Sequence, residues 1–168
     1  MTTEETLRIR GYLTAQGGKL SPEQIVGKVQ EAMAKLREAA TAVPRARFAE
    51  SPAPGEWSAN EVMAHVVEAG RHFGDAIVRI LDGKAPGEPR DVAARDTTPR
   101  SPDEWFALLE RDRAALFQRV RSSDPMAQLE ATIPHPFFGG LNWREALLFI
   151  RLHDLDHAGQ LAKVAGAL

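Results

Sequence analysis

NWREALLFIRLHDLDHAGQLAKVAG, Asn142 to Gly166, is the stretch on which the fold turns. Asn142 with Glu145 three residues on is a capping-box signature for a helix start, and Gly166 marks a stop. Between them Ala146, Ile150, His153, His157, Gln160 and Val164 recur at spacings of 4, 3, 4, 3 and 4, the a/d pattern of a bundle helix. The stripe that should be buried therefore carries two histidines and a glutamine, and the helices around it have to account for them.

Three further segments open in the same way. SPEQIVGKVQEAMAKLREAATAV starts with Ser21, Pro22 and Gln24 and carries an apolar stripe of Ile25, Val29, Ala32, Leu36, Ala39 and Val43. SANEVMAHVVEAGRHFGDAIVRILDG starts with Ser58 and Glu61, ends at Gly83, and aligns Val62, His65, Val66, Ala69, Phe73, Ile77 and Ile80. SPDEWFALLERDRAALFQRVR repeats the Ser-Pro opening at Ser101 and Pro102, with Trp105, Leu109, Leu116 and Val120 on one face. The expected fold is all-α, a four-helix bundle over residues 21–168 behind an N-terminal extension, residues 1–20. Leu7, Ile9, Tyr12 and Leu13 give that extension apolar groups to set on the bundle or on a second subunit. The connections, roughly Pro44 to Trp57, Lys84 to Arg100 and Ser122 to Leu141, exceed what tight up-down turns need and point to crossovers or loops over a site. ATIPHPFFGGLN can turn or form a hairpin, but Pro134 and Pro136 bar a regular central strand.

The composition sets outer bounds. With 168 residues, 43% hydrophobic and 26% charged, the chain suits one globular domain with one core. A formal net charge of −2 provides no global field for nucleic acid or an anionic membrane, and no apolar run is long enough to span a bilayer. The N-terminus lacks a signal-peptide core, so the cytoplasm is the default compartment. There is no cysteine, which removes disulfides, thiolate nucleophiles and thiolate metal sites together.

His153 and His157, four apart on a helix, lie about 6 Å apart along the axis, so one ion could take a nitrogen from each. His65, on the buried stripe of another helix, is the best third ligand. Leaving several imidazoles buried without partners costs a few kcal/mol each, roughly, and a metal removes that cost. Ordinary polar residues at a core edge remain the bland alternative. His72, about 10 Å beyond His65, is too far to share the ion and reads as peripheral, or at best as a base beyond the ligand set. His135, in a loop, could lean over the site, but a lone loop histidine reads more simply as solvated. Asp154, Asp156 and Glu68 could orient ligand imidazoles, though plain surface charge describes them at least as well. Gln160, one turn past His157, is placed to contact bound water or a substrate, or to bond backbone at the core edge.

Two other metal motifs fit poorly. HDLDH puts Asp154 where a zincin needs the longer glutamate, and no His, Asp or Glu follows His157. A di-iron bundle needs two Glu-x-x-His motifs, and no second copy of the Asp154–His157 spacing exists.

PGEWSANEVMAHVVEAGRHF, residues 54–73, and HPFFGGLNWREALLFIRLHDLDHAGQL, residues 135–161, resemble the second-helix and final segments of the DinB-like (DinB/YfiT-like) family. There a Trp-Ser opening leads to a histidine seven residues past the serine, and a closing helix carries H-x-x-x-H followed by Gln. The resemblance covers about residues 21–165. It implies a four-helix bundle holding a divalent ion, zinc or nickel, on His65, His153 and His157, and frequent homodimers. Some members of the family are thiol-dependent transferases or isomerases; many have no known activity.

The expected function is a divalent-metal-binding bundle protein, a metal-dependent thiol (S-)transferase or hydrolase acting on a small molecule. A low-molecular-weight thiol would bring the sulfur this chain lacks, and Arg144 and Arg151 could hold its carboxylates if they are not simply solvated. The alternative is a non-catalytic, dimeric metal- or ligand-binding bundle. Neither reading calls for nucleic acid or a membrane.

Overall fold

The computed structural model describes residues 1–89 and 96–168, so the Lys84–Arg100 connection is only partly described. Among the described residues five helices form: α1 (Thr3–Lys19), α2 (Pro22–Ala42), α3 (Ala59–Leu81), α4 (Pro102–Arg121) and α5 (Trp143–Ala167). A 3-10 turn, Arg45–Arg47, lies between α2 and α3. All four expected capping boxes are made: Ser21 with Gln24, Ser58 with Glu61, Ser101 with Glu104 and Asn142 with Glu145. Each satisfies two end groups that the helix cannot satisfy itself.

The N-terminal extension is a helix as well. Thr2 and Glu5 form a fifth capping box, and Leu13 is fully buried. Gly11, Gly17 and Gly18 weaken α1 by roughly 1 kcal/mol each relative to Ala, so packing on α5 must hold it. Gly17 permits the close approach, since a Cβ there would stand 3.0 Å from Glu145 Cγ. Arg10 pairs with Glu145 at 3.0 Å, and Arg151 donates to Tyr12 Oη at 2.9 Å.

Packing fixes the order of the bundle. α2 lies against α5 and α4, and α3 lies against the same two helices. α2 and α3 are thus diagonal, as are α4 and α5, and the long connections at residues 43–58 and 122–142 are the crossovers this requires. The second crossover contains a hairpin, β1 (Ile133–His135) paired antiparallel with β2 (Gly139–Leu141). No described helix is long and apolar enough to cross a membrane.

The core consists of two apolar clusters. One gathers Ile25, Val29, Phe73, Ile77, Leu116, Trp143 and Ile150 around the hairpin side. The other gathers Leu36, Val62, Val66, Trp105, Leu109, Leu161 and Val164. Between the two levels lie Arg113 of α4 and His153, Asp154 and His157 of α5, a polar layer across the middle of the bundle.

Candidate metal centre

His65 sits on α3, and His153 and His157 sit one turn apart on α5, the helix packed beside it. The three rings converge. His65 Nε2 is 3.0 Å from His153 Nε2, and His157 Nε2 is 3.1 Å from the same atom. Two imidazole nitrogens on one ion at about 2.1 Å stand about 3 Å apart at a right angle and about 3.4 Å apart at a tetrahedral angle, so the spacing fits.

Protons alone fit it less well. His157 Nδ1 lies 2.8 Å from Gln160 Oε1, an acceptor, so this ring carries its proton on Nδ1 and turns a lone pair at Nε2 toward His153. A proton on His153 Nε2 can point at one neighbour and leaves the other contact unsatisfied. A cation satisfies both. Burial, with the other two histidines close by, holds His153 well below the usual imidazole range, leaving it neutral and free to donate electron pairs. Trp57, just before the α3 cap, sets its ring edge-on to His65 at 5.3 Å.

Gln160 is therefore a partner of a candidate ligand imidazole. Two of the three carboxylates considered for that duty, Asp154 and Asp156, are placed otherwise. Asp154 is fully buried and gives both oxygens to Arg113, 3.0 Å each. Asp156 is exposed, and Glu68 is half-buried on α3. Because α4 and α5 are diagonal, Arg113 has to reach through the bundle; Gly70 of α3 makes room, since a Cβ there would meet Arg113 Nη2 at 3.2 Å. Burial raises the Asp154 pKa while the guanidinium opposes the rise.

Two other expectations change. His135 is 8% exposed, not solvated: it stacks on Phe138 and meets Phe149 edge-on, each at 4.5 Å between centroids. Arg144 donates to the carbonyls of Pro125 and Leu20, and Arg151 to Tyr12, so both tie α5 to its surroundings. His72 lies outside the histidine group and packs on Phe73.

A bundle with three inward imidazoles on two adjacent helices defines the class, a four-helix bundle built around a potential metal centre. The DinB superfamily model matches residues 28–161, and the chain belongs to that superfamily. It is also similar to a solved structure described as TT2238, a four-helix bundle protein. That likeness has 23% identity and a TM-score of 0.65, covering 85% of this chain and 99% of that one. No curated protein matches the chain.

Proposed function

We propose that the chain is a divalent-metal protein in which His65, His153 and His157 hold one zinc or nickel ion, and that it acts on a small molecule together with an external thiol or water. The observation that carries this is the meeting of three Nε2 atoms at 3.0 and 3.1 Å in a layer otherwise closed by an ion pair. Three neutral imidazoles suit zinc and nickel, and three protein ligands leave room for an exogenous one. The bound ion would supply Lewis acidity, lowering the pKa of a thiol or water that joins it.

The chain's own residues hold and orient. Gln160 accepts the Nδ1 proton of His157 and so aims Nε2 inward. Trp57 covers one side of His65. No cysteine is available as nucleophile, so the reacting sulfur, in a transferase, must come with a low-molecular-weight thiol.

Elemental analysis of protein purified without a metal-affinity tag tests the centre. About one equivalent of transition metal in the wild type, lost in His153→Ala/His157→Ala, is expected; no metal in either after soaking with zinc and nickel refutes it. Thiol transfer and hydrolysis are then assayed on the loaded protein, and a loaded protein inert in both would leave only the binding role.

A further inference from the structure

A cleft of about 760 Å³ opens beside the triad and includes His153 in its lining. Ile9 of α1, Phe137 and Phe138 of the hairpin turn, and Phe149 and Leu152 of α5 wall it. Its volume suits a small organic ligand. His135, more than nine-tenths buried, lines it as well.

The tautomer of His135 is set by the hairpin. Its Nδ1 accepts from the backbone N–H groups of Phe137 and Phe138, at 3.2 and 3.3 Å. That nitrogen must hold a lone pair, so the neutral ring carries its proton on Nε2. Nε2 has no hydrogen-bond partner among the described residues. Burial holds the pKa down to about 4, which keeps the ring a neutral donor at neutral pH. Exposed Glu5 and Asp156 also line the cleft with exposed Arg8, a balance that disfavours an anionic ligand.

We propose that this cleft is the ligand site served by the triad, and that it takes an uncharged aromatic carbonyl compound whose oxygen accepts the Nε2 proton of His135. The phenyl-lined walls receive the ring, and His135 fixes the orientation of the carbonyl relative to His153. The assignment rests on the metal-centre reading for its purpose, and on the cleft alone for its binding. Ile9, on α1 before the start of the superfamily match at residue 28, forms one wall of the cleft.

The test titrates acetophenone, and α-methylstyrene as a shape analogue without an acceptor oxygen, into zinc-soaked and metal-free protein, with zinc content measured separately. Acetophenone is expected to bind about fivefold more tightly, the worth of one ordinary hydrogen bond. His135→Asn keeps a side-chain acceptor for the two backbone N–H groups and should erase that preference. Ile9→Trp narrows the cleft and should weaken both probes without changing zinc content. In the wild type, the ¹⁵N shift of His135 Nε2 should move with acetophenone and not with α-methylstyrene, a reading that needs no variant to fold. Equal affinities, a preference that survives His135→Asn, or an Nε2 shift blind to acetophenone would overturn the proposal. Zinc bound without probe selectivity sinks the cleft assignment alone; selectivity without zinc leaves it standing and removes the metal centre.

Discussion

Replacing Arg113 by Met should damage the protein more than any surface substitution. Arg113 and Asp154 are 2% and 0% exposed, and their paired 3.0 Å contacts join the diagonal helices α4 and α5 across the bundle. Arg113→Met leaves a buried carboxylate with its counter-charge removed, a change that costs about 3–5 kcal/mol. For a domain of this size that lowers the melting temperature by roughly 6–20 °C. With a urea slope of about 2 kcal/mol per molar, the midpoint falls by about 2 M. The double variant Arg113→Met/Asp154→Leu removes both charges and should return to within about 1 kcal/mol of wild type or exceed it. The single variant also has a pH signature. Without the guanidinium, Asp154 folds protonated, with its folded pKa above the unfolded value near 3.9, so its penalty grows as pH rises and should be smaller at pH 5 than at pH 7. Urea melts of metal-free protein at both pH values measure all of this. A single variant within about 1 kcal/mol of wild type, or a double variant no better than the single, would refute the reasoning.

Other substitutions probe the remaining contacts. Gln160→Leu removes the acceptor that orients His157 and should weaken zinc affinity about 10- to 100-fold, read by competition with a chelator. His135 has a folded pKa lowered to about 4 from 6.5, so the unfolded chain binds the extra proton first. Stability should therefore fall as pH drops from 6.5 toward 4, by about 3 kcal/mol in all, and His135→Asn should flatten that part of the pH profile. Ser58→Ala should cost about 1 kcal/mol by opening the cap of α3, measured by thermal melting. Gly17→Val should push α1 off Glu145 and expose its amides to hydrogen exchange while α2 to α5 stay protected.

Much was legible in the sequence because helix ends and helix faces are local properties. Ser21, Ser58, Ser101 and Asn142 each declared a start, and the stripes placed His65, His153 and His157 inward before any packing was known. Thr2 and Glu5 carry the same signature, but three glycines dilute the helical pattern behind them, and only the docking surface on α5 makes α1 stable. The tertiary structure alone decided the rest. Asp154 looks like surface charge until the diagonal placement of α4 and α5 brings Arg113 to it through the gap at Gly70. His135 looks like a solvated loop residue until the hairpin folds it between Phe138 and Phe149. Spacing within one helix fixes which side chains share a face; which partner meets that face depends on how distant segments pack, and no local pattern encodes it.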